Sequence, residues 1–214
     1  MSKIKLPHAS GNSMSIAAPA TNPASDLTLT LPATIGTAGQ VLSVDGSGNL
    51  VWKYPSVAMV DQWRLSANLD NISANTETVF TANWEQVDGV AFGSVGGAMT
   101  QSSGVFTFPQ TGIYKVEFVI FANDTESTGA IETKVKMSTD GASGTYHTIA
   151  LAKNAIPDIS TYNYVTTYTS ALVDVTSVSD CKIQFATYSA GSFSCNGDSG
   201  KNETHASFIR LGDT

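Results

Sequence analysis

From about Val60 onward, apolar residues fall at every second position in short runs, and the runs are separated by turn clusters. This period of two, sustained over some 150 residues, is the pattern of half-buried β-strands and cannot be worn by a helix. The clearest run is Gly112-Ile113-Tyr114-Lys115-Val116-Glu117-Phe118-Val119-Ile120-Phe121. Its even positions are all apolar and form a core face. Its odd face mixes Lys115 and Glu117 with Ile113, Val119 and Phe121, wet near its start and dry near its end. Similar alternation predicts strands at about 61–69, 77–81, 89–95, 98–108, 112–123, 130–138, 145–153, 161–175, 180–189 and 203–211. Clusters such as Ser102-Ser103-Gly104, Asp140-Gly141-Ala142-Ser143-Gly144 and Asn196-Gly197-Asp198-Ser199-Gly200 read as the turns. Many short strands at this spacing imply an all-β sandwich or barrel. Composition agrees: 25 Ser, 25 Thr and 18 Gly in 214 residues are a strand-and-turn vocabulary. The strand at 161–175 places Tyr162, Tyr164 and Tyr168 on one side, where amphipathic rings suit half-buried packing or a subunit interface.

The first 60 residues differ. They carry three lysines and two aspartates, net +1, which leaves −8 of the chain's −7 total for the remainder. From Pro7 to Ala24 the sequence is small, polar and proline-interrupted, with no periodicity; it is either disordered or an extended arm ordered by a partner surface. Leu27-Thr28-Leu29-Thr30-Leu31 then alternates strictly and stops at Pro32, predicting a strand. Residues 40–44 and 49–53 flank Asp45-Gly46-Ser47-Gly48 and read as a β-hairpin. Three strands this short bury too little to stand alone, so the segment needs neighbours, of which copies of itself are the simplest.

Chemistry is sparsely represented. Cys195-Asn196-Gly197-Asp198-Ser199-Gly200 is similar to the stretch around the nucleophile of chymotrypsin-like proteases, but Lys201 stands where that pattern has glycine and only 15 residues follow Ser199. Neither His8 nor His147 lies in a catalytic context. The expectation is a surface loop, no catalytic residues, no cofactor and no enzyme. The three histidines are far apart, no paired C-x-x-C occurs, and Cys181 and Cys195 are read as free thiols, a disulfide being open to them only if their segments pair as a hairpin. Calcium would have to use the oxygens of Asp45, Ser47 and Asn49 or of the loop at 123–127, both ordinary turn sequences. With two arginines and no basic cluster, nucleic-acid binding is not expected. No apolar run reaches the roughly 18–20 residues needed to cross a bilayer, and Met1–Pro7 lacks a signal-peptide core; neither membrane insertion nor Sec export is expected. The sequons at Asn71, Asn123 and Asn202 carry little weight in that setting.

Two resemblances refine this. Residues of about 27–53, with Leu27-Thr28-Leu29-Thr30-Leu31-Pro32 followed by Gly36-Thr37-Ala38-Gly39-Gln40-Val41-Leu42-Ser43-Val44-Asp45-Gly46-Ser47-Gly48-Asn49-Leu50-Val51-Trp52, resemble a segment of bacteriophage tail-fibre and other virion proteins that precedes a fibre or knob. Residues of about 61–212 resemble the complement globular-head and tumour-necrosis-factor jelly-roll superfamily. The resemblance is carried by Gly104-Val105-Phe106-Thr107-Phe108-Pro109-Gln110-Thr111-Gly112-Ile113-Tyr114, by the Asn83 turn before Trp84, and by the closing Ala206–Gly212, which lacks that family's inner glycine.

The resemblance implies a ten-stranded jelly-roll sandwich forming a trimeric knob, preceded by an extended arm and a small β-hairpin segment. The organisation expected is residues 1–25 as a docking arm, 26–58 as a β anchor and 59–214 as the knob. The function expected is a non-enzymatic virion protein, a short fibre, spike or capsid decoration, that partners other virion proteins (capsid, neck or tail) through residues 1–58. The alternative is a tail-fibre tip that binds a host surface glycan or protein, for which a cluster of Tyr162, Tyr164 and Tyr188 would be the platform.

Overall fold

The computed structural model describes the chain except residues 1, 2, 8, 9, 18, 22, 46, 54–56, 90–92, 125–128 and 157–162, together with the side chains at 3, 5, 14 and 124. The chain divides into two compact units, Met1–Ser56 and Val57–Thr214.

In the first unit, β1 (Lys3–Pro7) pairs antiparallel with β2 (Ser13–Ala17), placing Ile4 opposite Ile16. Part of the stretch read as aperiodic is therefore a strand, because the alternation of Ser13–Ala17 finds its complement in the residues just before Pro7. The expected hairpin is present as β3 (Val41–Val44) and β4 (Leu50–Lys53), registered from Val41–Lys53 to Val44–Leu50. Asp45 closes its loop: one carboxylate oxygen accepts from Ser47 N at 2.8 Å and Asn49 N at 2.9 Å, the other from the Asn49 amide at 3.1 Å. Both oxygens thus accept from N–H groups of the loop's own residues, as in an Asx-turn. Trp52 donates its indole N–H to Thr34 O at 2.9 Å and lies so close to Gly36 that a Cβ there would come within 2.6 Å of the ring. The strand expected over Leu27–Leu31 does not form. Its described pairing is a single parallel bridge of Thr30 with Asn49, where Leu50 N donates to Thr30 O at 2.9 Å. Pro32 ends the run before a ladder can extend.

The second unit is built from β5 (Met59–Leu65), β6 (Ala67–Ile72), β7 (Thr78–Val79), β8 (Trp84–Gln86), β9 (Thr100–Ser102), β10 (Val105–Thr107), β11 (Gly112–Asp124), β12 (Ala130–Ser138), β13 (His147–Ala155), β14 (Asn163–Val175), β15 (Lys182–Ser189), β16 (Phe193–Asp198) and β17 (His205–Gly212). They form two antiparallel sheets. One runs β13-β12-β15-β10-β9, with β7 also on β15. In the other, β11 carries β14 along one edge and β17 then β16 along the other; β17 continues to β5 and β8, and β16 to β6.

Several expected strands are subdivided. The run at 61–69 breaks at Ser66, where the chain leaves β17 for β16. The run at 98–108 folds back at Ser103 and Gly104, both at positive φ (49° and 78°); a Cβ at 104 would strike the carbonyl of Phe80. No strand lies among the described residues of 89–95, where Val95 makes one bridge to Val60. The cluster at 196–200, read as a loop, begins as strand: Phe193 and Cys195 are buried in alternation with Ser194 and Asn196, and the turn starts only after Asp198. The closing strand, despite lacking the inner glycine, is registered with Phe208 opposite both Val116 and Asp61, with a bulge near Gly212.

The core fills the space between the sheets. Tyr114, Val116, Phe118, Ile120 and Ala122, the even face of β11, are fully buried. Phe118 meets Phe185 of the opposite sheet at 4.5 Å between ring centroids, and Trp84, Phe106 and Phe208 complete the aromatic cluster. Each such ring contributes about 2–3 kcal/mol by leaving water. Phe108 packs on Tyr114 at 4.7 Å, and the tyrosine hydroxyl donates to Gln110 O at 2.9 Å. The buried carboxylate of Asp61 joins the sheets at one end: it accepts from Gln62 N, Trp63 Nε1, Gln86 Nε2 and Met99 N, all at 2.8–2.9 Å, reaching from β5 and β8 to the residue before β9.

Candidate functional site

The outer face of the β14-β11-β17-β5 layer is the surface whose composition fits its position least. Strand β14 alternates along its length, with Val165, Thr167, Thr169 and Val173 inward and Tyr164, Tyr168 and Leu172 outward. Tyr164 and Tyr168 thus share a side as the sequence predicts; Tyr162 lies outside the described residues.

Register assembles three rows. Tyr168 stands beside Val119, and Val119 beside His205. Leu172 stands beside Lys115, then Ile209, then Val60. Between them runs Ser170, Glu117, Ser207 and Gln62. Phe121 stacks on Tyr164 at 5.5 Å and 20°. Tyr164 is 47%, Tyr168 48% and Leu172 69% exposed.

Glu117, Gln62 and Ser207 of the polar row are already engaged. Tyr168 donates its hydroxyl to Glu117 Oε1 at 2.7 Å and Lys115 Nζ reaches the same oxygen at 2.6 Å, while Gln62 donates to Ser207 Oγ at 2.9 Å. Burial pushes the Glu117 carboxyl up, but the bonds from Lys115 and Tyr168 outweigh it and hold it below the ordinary glutamate range. Glu117 therefore stays ionised with its partners already in place. An apolar, aromatic-rich face whose central carboxylate is already paired can be covered by another surface without stranding that charge.

Sequence reasoning identified Tyr164, Tyr168 and the β11 members of this face and missed Leu172, Ser170, Ile209, Val60 and Gln62. Alternation in the closing strand marks Ile209 as outward, but only the fold sets β17 beside β11 and β5.

The other expected groupings are not assembled. Tyr188 is on β15 of the opposite sheet, facing away from the core, with Lys134 Nζ 5.5 Å over its ring and its hydroxyl on Asn75 at 3.3 Å. Tyr164 and Tyr188 therefore look out from opposite faces of the sandwich, so the aromatic platform expected of them does not exist. Around Tyr188, Lys134 bridges Glu77 and Glu132 at 2.9 Å each, Lys136 pairs with Glu77, and Lys153 with Glu132 at 2.5 Å, so these charged groups are paired with one another. Ser199 sits in the turn after β16, where Asp198 is engaged by Gly200 N at 2.6 Å and Lys201 at 3.1 Å. His205 faces Glu203 O at 3.1 Å, His147 is on β13 of the other sheet, and His8 lies outside the described residues. Among the described residues no group of three or more His, Cys, Asp or Glu could hold a metal. Of the calcium loop at 123–127, residues 125–127 lie outside the described residues. Cys181 and Cys195 are both free and buried, and burial pushes the Cys195 thiol well up.

Neither a protein-family model nor a curated protein sequence matches the chain. Solved structures are similar to it. The Eiger TNF of S. frugiperda superposes with a TM-score of 0.53 at 13% identity, covering 74% of this chain and 96% of that one. Murine APRIL gives a TM-score of 0.49 at 16% identity, covering 72% and 98%. The likeness to the insect protein is one of fold: the second unit is a TNF-like jelly roll.

Proposed function

We propose that this chain is a non-enzymatic structural protein of a bacteriophage virion: a homotrimeric short fibre, spike or capsid decoration whose jelly-roll knob projects and whose first unit docks it to other virion proteins. The observation that carries the oligomeric part is the face on which Tyr164, Tyr168 and Leu172 stand exposed beside the half-buried Phe121, Val119 and Ile209, and which a second knob would cover. TNF-like knobs that assemble through apolar, aromatic faces give the expected number of copies as three. The virion role is supported by the likeness of residues 27–53 to a segment of phage fibres.

Light scattering on the full-length protein tests this. The expected mass is three times 22.4 kDa. Tyr168→Asp, which sets a second carboxylate beside Glu117, is expected to yield a folded monomer. A wild-type monomer at micromolar concentration refutes the reading. Immunogold labelling of purified particles tests the virion assignment, and particles without label refute it.

A further inference from the structure

The described part of the first unit holds a backbone arrangement that its side chains do not account for. The β3–β4 hairpin is registered throughout, Asp45 closes its loop and Trp52 is seated on Gly36, yet among the unit's described residues none is buried. Leu27, Leu29 and Leu31 are 76%, 66% and 72% exposed, Ile35 is 93% exposed, and Val41, Leu42 and Val44 are open as well. Apolar side chains this dense and contiguous mark a contact surface. The extended run beside the hairpin adds a backbone with little of its hydrogen bonding used, its described pairing being the one bridge at Thr30.

The sequence says what fits that surface. From Leu27 to Val44 there is no Asp, Glu, Lys, Arg or His, in a chain that carries 11 basic and 18 acidic residues. Such a stretch offers a partner of different sequence no charge to steer it or fix its register, and gives identical copies nothing to repel one another. The Leu-Thr-Leu-Thr-Leu alternation is also its own complement: copies in register set leucine against leucine and threonine against threonine, both favourable pairings.

We propose that residues 27–44 are covered by the same segment of other copies of this chain, making the first unit a second assembly module beside the knob face. This rests on the homo-oligomeric reading above, because knobs held together keep their first units at about millimolar effective concentration. Docking to the virion then falls to the β1–β2 hairpin.

The test uses the full-length protein. Both native cysteines are buried, so a single added thiol is the accessible one. Leu29→Cys is compared with Ser47→Cys, at an exposed position in the β3–β4 loop, under mild copper-phenanthroline oxidation, with light scattering on the same samples. The expected result is a native oligomer in which Leu29→Cys forms covalent dimers at least about tenfold faster than Ser47→Cys. An intact oligomer that cross-links no faster at 29 than at 47 overturns the inference and leaves the knob reading standing, whereas a monomer overturns that reading and this inference with it. Hydrogen exchange on the unmodified oligomer guards against an effect of the substitution itself: amides 27–31 are expected to be slowed at least about tenfold relative to free peptide, and unprotected amides overturn the proposal.

Discussion

Replacing Asp61 with asparagine keeps the shape of the side chain and turns one of its two acceptors into a donor. In the native fold one oxygen takes Gln62 N and Gln86 Nε2, and the other takes Trp63 Nε1 and Met99 N. The less costly placement of the new NH2 is toward Gln86, whose amide can turn over and accept, leaving the Gln62 N–H without its partner. An unsatisfied buried donor costs about 1–3 kcal/mol, and the remaining bonds lose the strength that an ionised acceptor gives, about 1 kcal/mol more. The sum, about 2–4 kcal/mol, corresponds to a fall in Tm of about 5–12 °C for a domain of this size. Circular dichroism melts of Asp61→Asn and wild type at one fixed protein concentration measure it, since assembly makes Tm concentration-dependent. A fall under about 2 °C would show that the four donors have other acceptors and that Asp61 does not tie the sheets.

Gly104→Ala forces a Cβ against the Phe80 carbonyl at a φ of 78°, and should cost about 2–4 kcal/mol in chemical denaturation; an unchanged midpoint means the turn can shift. For Glu77, Glu117 and Glu132, burial pushes each carboxyl up while hydrogen bonds from lysines, and from Tyr168 for Glu117, outweigh it, so each folded value lies below the unfolded one. Their contribution is therefore complete above about pH 4.3 and lost as pH falls through the folded values. Carbon-13 titration should find all three below the ordinary glutamate value, and a value at or above it for any of them removes that network. Thiol labelling of the native protein should modify neither cysteine, and labelling after denaturation without reductant should modify both; an intact disulfide contradicts the structure.

What the sequence makes legible is whatever repeats along it. The even face of β11 and the outward tyrosines of β14 are periodic, and the fold keeps them as read. What depends on a distant neighbour is not legible. Asp61 reads as an ordinary polar strand residue until residues 86 and 99 are brought to it, and Ile209 becomes part of a face only beside β11. Leu27–Leu31 errs in the opposite sense: its alternation is plain, but alternation describes a strand's faces and not its edges, and among the described residues those edges find a single bridge, Thr30 with Asn49. At β16 the Asn-Gly-Asp-Ser-Gly signature concealed the alternation of Phe193 and Cys195 just before it.

The pairing of β5 with β17 sets the order in which this protein can come into being. Gln62 and Ser207 are hydrogen-bonded across 145 positions of sequence. At about 5–20 residues per second, a ribosome that has finished β5 needs about 7–30 s more to deliver the strand beside it. Through that interval the β12–β13 pair, close in sequence, can form, while Trp63 and Leu65 of β5 wait for a neighbouring strand that comes last. Closure of the sandwich thus waits until β17 has been made, and a nascent chain halted short of His205 exposes the bare edges of β5 and β11 together, the surfaces most apt to be captured by the wrong strand.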